Sequence, residues 1–184
     1  MITPRITNPY EPGLPALGDD LENYLVTGGG SITLKLEPDD KIKIINLEGQ
    51  QQAELVCFSS KKLCDLSPLS LKHEHQGELT KKILFSDDES AKIARTKLKK
   101  LGYEVESINK SILVFSKNSL ANSIEEFTSN DSVVCIISAP GENEITHGNY
   151  PSSELRVIVQ RSKKRQEGEF LLPDPLMDPV EEIF

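Results

Sequence analysis

The chain has no tryptophan, and aromatic residues make up only 5% of its 184 positions. A core built from it must therefore rest on aliphatic side chains. Three cysteines cannot all pair, so a disulfide framework is excluded as the basis of the fold, and a reduced, cytoplasmic setting is the simplest expectation. Positive charge is also short: 21 Lys and Arg stand against 29 Asp and Glu, a net charge of −8. That balance argues against a nucleic-acid partner or an anionic membrane surface, both of which need a positive footprint. No run approaches the ~20 apolar residues of a membrane span. The opening MITPRITNPYEPGLP lacks the apolar centre of a signal peptide. Serine-rich elbows of the strand-to-helix kind are absent too, which leaves a hydrolase triad without a frame.

What is present reads as an α+β domain. Residues 1–30 hold Pro4, Pro9, Pro12 and Pro15 and the triple glycine Gly28-Gly29-Gly30, so an irregular arm is expected there, with one short turn over Asp19–Leu25. The glycines precede a strand, whereas a phosphate cradle needs a helix after it, so a flexible turn is the reading. Residues 31–166 form the globular part. Ile32, Leu34 and Leu36 alternate with polar neighbours; Ile42, Ile44 and Ile45 follow a Pro-Asp-Asp turn; Ala53–Phe58 follows a Leu-Glu-Gly-Gln turn. Short turns between these runs predict an antiparallel meander. Residues 59–82 give no clear signal. A helix is expected over about 87–101, with Ser86 as cap, Glu89 as its box partner, an apolar stripe through Ala91, Ile93, Ala94, Leu98 and Leu101, and Gly102 as its stop.

Beyond the helix, Tyr103–Ile108 and Ser111–Ser116 read as a strand pair, and 119–127 as a short helix or loop. Ser132–Ser138 is a run with apolar residues on both faces and belongs in the middle of a sheet. Leu155–Gln160 returns as a strand. The whole is expected to be a mostly antiparallel sheet, curled toward a barrel or sandwich, with one main helix packed on it. Residues 167–184 carry Pro173, Pro175 and Pro179 and read as an inter-domain linker or strap. The apolar end Ile183-Phe184 reads as a cut between domains.

No catalytic residue stands out. Cys64, His73 and His75 are the candidate metal ligands, because His-x-His on a strand places both rings on one face; no second ligand pair at finger spacing accompanies them, and no metal is expected. Cys57 and Cys135 sit in apolar strands and read as small buried hydrophobes. Glu48 and Glu54 flank the Gly49 turn and are candidates for cofactor binding. So is Arg161, at the head of the basic run Arg161–Arg165, which suits a phosphate or the glutamate tail of a folate.

The stretch Ser31–Leu36, Asp40–Gln51 and onward to Phe58 resembles the opening of urea-carboxylase-associated domains. Cys135–Gly141, the Leu155–Gln160 strand and the Leu172–Pro179 strap are similar to the first domain of aminomethyltransferase-like proteins related to the glycine-cleavage T-protein. The resemblance implies an accessory N-terminal domain of a folate-dependent aminomethyltransferase-like protein. Such a protein transfers a one-carbon unit from a glycine-type or methylated amine to tetrahydrofolate. The domain would be non-catalytic by itself and without a cofactor of its own, and a downstream aminomethyltransferase-like domain or enzyme would be its partner. Relatives with metal or hydrolytic chemistry carry cysteines where this chain has Gln52 and Ser138-Ala139-Pro140, so thiolate chemistry is not expected here. The alternative is a metal- or cysteine-dependent hydrolase or deiminase acting on urea- or guanidine-like compounds, using Cys64, His73, His75 or His147.

Overall fold

A computed structural model describes residues 20–72, 74–87, 89–139 and 154–163. In chain order the elements are β1 (Leu21–Val26), β2 (Gly30–Leu36), β3 (Lys41–Asn46), β4 (Ala53–Ser59), α1 (Glu78–Leu84), α2 (Glu89–Lys100), β5 (Ile112–Phe115), β6 (Ser123–Thr128), β7 (Val133–Ala139) and β8 (Leu155–Gln160). The strands make two four-stranded sheets, ordered β1-β8-β3-β6 and β2-β7-β4-β5, and every pairing is antiparallel. The fold is α+β, and the two sheets pack as a sandwich without closing into a barrel.

Period-two alternation builds the layers. Ile32, Leu34 and Leu36 of β2, Ile42 and Ile44 of β3, Leu55 of β4, and Val157 and Val159 of β8 all turn into one cluster between the sheets. The opposite faces of the two central strands of the second sheet carry Val56, Phe58, Val134 and Ile136. These form a second cluster with Leu84 of α1 and Ala94 and Leu98 of α2. The helices therefore cover the second sheet alone, and β4 and β7 are buried on both sides. That double burial is why Val133–Ser138 shows no alternation, as a central strand should not.

Four expectations need correcting. The strands Gly30–Leu36, Lys41–Asn46 and Ala53–Ser59 do not form a meander: β2 and β4 lie in one sheet and β3 in the other, so each short turn crosses the sandwich. Residues 21–30 are not an arm, because β1 is an edge strand whose Leu21–Val26 pair residue for residue with β8. Val105–Ser107 is a single 3-10 turn and only Ile112–Phe115 is a strand, pairing with β4 instead of its chain neighbour. Ser123–Thr128 is an edge strand on β3; its exposed Glu125 and Glu126 hid it from pattern reading.

The expected helix stands at Glu89–Lys100, with Ala94 and Leu98 fully buried. Glu89 opens it, while Ser86 stays in the preceding turn, its amide donating to Ile83 O. The unreadable stretch 59–82 holds the start of α1, which runs on to Leu84 and is entered through Gly77 at φ 73°, a left-handed conformation glycine adopts without strain. No helix among the described residues is long and apolar enough to cross a membrane. Residues 1–19, the Ala139-Pro140-Gly141 stop beyond Ala139 and the 167–184 strap lie outside the described residues.

Candidate functional site

Glu54 is the one acidic residue in the apolar run Ala53–Phe58, and alternation along β4 puts it on the helix side of the sheet. It is 2% exposed. Its Oε2 accepts the amide hydrogen of Thr80 in the first turn of α1 at 2.7 Å, and its Oε1 accepts the Ser111 hydroxyl at 2.8 Å. Ser111 Oγ in turn accepts from the Gly77 amide at 2.8 Å. One carboxylate thus ties β4, the start of α1 and the approach to β5 together. Among the described residues no cation is paired with it, so neutral donors alone hold a buried carboxylate.

Register places more polar groups beside it. Ser138 of β7 is the cross-strand partner of Glu54, and Ser31 of β2 is the partner of Ser138, so the three share one row on one face. The hydroxyls of Ser31, Ser138 and Thr80 are all buried without a hydrogen-bond partner. Chemically this is a group of buried hydroxyls beside a fixed acceptor. It holds no nucleophile–base pair, because no histidine or lysine contacts it among the described residues.

Arg161 is committed elsewhere. Its guanidinium donates to both Glu22 carboxylate oxygens, at 3.0 and 2.7 Å, to Asp40 Oδ2 at 2.8 Å and to Lys35 O at 2.7 Å. The Ser162 amide adds a bond to Asp40 Oδ1 at 2.8 Å. Burial pushes the Asp40 carboxyl up. Bonds from the Glu37 and Ser162 amides and from Arg161 outweigh that, and it lies below the usual carboxylate range. Burial works against the Arg161 charge, but Glu22 and Asp40 outweigh it and keep the guanidinium more firmly protonated than usual. A side chain with this many internal partners is a clasp: four of its five N–H donors are used on Glu22, Asp40 and Lys35 O. Glu48 is exposed on its turn, and the structure does not bring it together with Glu54.

The Cys64 thiol donates to Lys110 O at 3.3 Å, and His75 pairs by its backbone with the next residue, Ser111, while its side chain is exposed. Both candidates therefore flank residues 110–111, but no group of three His, Cys, Asp or Glu side chains able to hold a metal exists among the described residues. His73 and His147 lie outside the described residues. Cys57 and Cys135 face each other across β4 and β7 with Sγ atoms 3.4 Å apart, fully buried. Burial pushes the Cys57 thiol up, away from nucleophilic use. Sequence reasoning missed Ser111, Thr80, Ser138, Glu22 and Asp40 as partners. The one available signal was a lone acid inside an apolar strand, at Glu54.

No family model matches the chain. A curated protein, a trimethylamine-oxide aldolase from Ruegeria pomeroyi, is 30% identical over 184 residues; the match covers 98% of this chain and 23% of that protein. The chain thus spans about a quarter of the length of the relative it matches. A crystal structure of a DUF1989-family protein from Silicibacter pomeroyi is similar with a TM-score of 0.48 and 12% identity, covering 84% of each chain.

The aldolase match corrects the earlier resemblance. A relative aligned along nearly this whole chain is named for aldolase chemistry on trimethylamine oxide. A folate-dependent aminomethyltransferase of the glycine-cleavage T type therefore does not describe this segment. Its reading as that protein's N-terminal accessory domain, its link to tetrahydrofolate one-carbon transfer and its downstream aminomethyltransferase-like partner go with it. The hydrolase or deiminase alternative is replaced on the same ground. Alternating strands, the Glu48-Gly49 turn and a proline strap carried that resemblance, and all three describe scaffolding that proteins of different chemistry share.

Proposed function

We propose that this chain serves a trimethylamine-oxide aldolase-like protein as part of its framework. The carrying observation is the 30% identity to that aldolase across 98% of this chain. Such a reaction is redox-balanced within its substrate: one N-methyl carbon leaves as formaldehyde with the oxide oxygen, and the nitrogen departs as dimethylamine. The described residues support a framework role by how they spend their polar groups. Glu54 is consumed in holding α1 to the sheet, and Arg161 in closing the end of the sandwich. The cysteines at 57, 64 and 135 are free and buried, which supports a reducing, cytoplasmic home.

The test is a graft. Replacing the matching quarter of the Ruegeria pomeroyi aldolase with this chain is expected to retain conversion of trimethylamine oxide to dimethylamine and formaldehyde. The isolated chain is expected to produce neither. A folded graft without activity would remove the aldolase context, and turnover by the isolated chain would overturn the framework assignment.

A further inference from the structure

Cys57 of β4 and Cys135 of β7 stand directly opposite one another in the register of the two strands. Each is 0% exposed, and both turn into the cluster between the sheets with Leu34, Leu55 and Ile137. Their place in the ladder follows from the neighbours. Phe58 bridges to Cys64 on one side of β4 and pairs with Val134 of β7 on the other. The Cys57 carbonyl accepts the Asp65 amide at 2.9 Å, on the Cys64 side, and so turns away from β7. Cys57 and Cys135 therefore occupy a non-hydrogen-bonded position, where facing Cα atoms approach to about 4.5 Å and side chains come closest. A disulfide spans Cα separations of about 4.4–6.8 Å, so this position accepts one with the strands in place. The two sulfurs already share an S–H···S contact at 3.4 Å. Cys64 belongs to the other cluster, on the helix side of the same sheet, and its thiol donates to Lys110 O.

We propose that Cys57 and Cys135 form a redox modification site, closing into a disulfide between β4 and β7 when the folded chain meets a hydroperoxide. One thiol, reacting as its thiolate, attacks the O–O bond and becomes a sulfenic acid. The second peroxide oxygen leaves as an alcohol or, from hydrogen peroxide, as water. The other sulfur then displaces the sulfenic hydroxyl, which forms the S–S bond and releases water. Two thiols give up two electrons and two hydrogens in all, and the peroxide takes them. Burial pushes the Cys57 thiol up, which makes the first step slow. A partner sulfur at 3.4 Å makes the second step fast and diverts the sulfenic acid from further oxidation. Full burial shuts out protein-sized disulfide oxidants, whereas hydrogen peroxide, close to water in size, enters during partial openings of the fold. The bond joins residues 78 positions apart in the chain, at the centre of the sheet that carries both helices. A closed loop of that length restricts the unfolded chain and so stabilises the folded one. The site is independent of the aldolase reading.

The experiment treats the folded full chain with hydrogen peroxide, removes the oxidant and alkylates the remaining thiols before proteolysis. Mass spectrometry without reduction is expected to find one cross-linked species, joining the peptides of Cys57 and Cys135, with Cys64 outside it. The melting temperature is expected to rise by about 5–15 °C and to return after a dithiol reductant. Cys57→Ala and Cys135→Ala are each expected to abolish both effects, and the peptide map of the unsubstituted chain decides the matter should either variant fail to fold. Urea-unfolded chain treated alike is expected to give mixed pairings that include Cys64, and the same mixture from folded chain would overturn the proposal. So would sulfinic acid at Cys57 or Cys135 in place of the bond, both thiols left free, or a cross-linked chain that melts lower than the reduced one.

Discussion

Glu54 shows how one side chain can be legible as unusual and yet misread as to its purpose. A carboxylate inside Ala53–Phe58 announces a special position. Its partners, Thr80 and Ser111, lie 26 and 57 residues away, and nothing in the local pattern points to them. Replacing it with glutamine turns one acceptor into a donor facing a donor. Glu54→Gln is therefore expected to cost about 1–3 kcal/mol in urea unfolding. Ser138→Ala, which removes a buried hydroxyl lacking a partner, is expected to be neutral or slightly stabilising. A Glu54→Gln change under ~0.5 kcal/mol would mean the carboxylate is not the tie described. Glu48, Cys64 and His75 were conspicuous for their residue types alone, which is a weaker signal than burial, and the structure gives them no shared site.

At the level of elements, the turns decide the architecture. Gly49 and Gly29 both adopt positive φ, 77° and 85°, but their surroundings differ. A Cβ on Gly29 would meet nothing within 4 Å, whereas one on Gly49 would stand 2.6 Å from the Ala121 amide nitrogen and 2.8 Å from Ser119 O. Gly29→Ala should thus cost only the conformational strain, about 1–2 kcal/mol, and Gly49→Ala clearly more, as the 119–121 loop has to move. Equal losses in paired thermal melts would contradict the close approach. Strand positions from Ile32 to Phe58 and from Val133 to Gln160 were readable because alternation and burial report directly on packing. The pairing of those strands was not readable, since Leu-Glu-Gly-Gln suits a hairpin and a sheet-crossing turn equally well. Asn46 settles the matter by accepting the Gly49 amide and donating to Gln51 O, with no signature in composition. β6 escaped notice because an edge strand with Glu125 and Glu126 exposed carries polar residues on both faces.

On the scale of the molecule, Arg161 joins parts that the chain separates widely. It links β8 to Glu22 of β1, to Lys35 O of β2 and to Asp40 in the turn before β3. Because the folded Asp40 carboxyl sits below its ordinary value of 3.8, its contribution is complete above that value and is lost as pH falls through the folded one. Urea-unfolding stability is expected to drop below about pH 4. Asp40→Asn is expected to shallow that drop while costing about 1.5–3 kcal/mol at pH 7, the range for hydrogen bonds to a charged group. An unchanged acid slope in Asp40→Asn would show that other carboxylates govern the transition.

Among the described residues no two strands joined by a tight turn pair with each other, and β1 and β3 both wait for β8, whose Gln160 pairs with Leu21. A ribosome must therefore deliver the chain as far as Gln160 before the first sheet has the strand that joins β1 to β3. Until then β1, β3 and their apolar flanks are uncapped edges, and the nascent chain depends on delay or on a chaperone's shelter instead of on early hairpins.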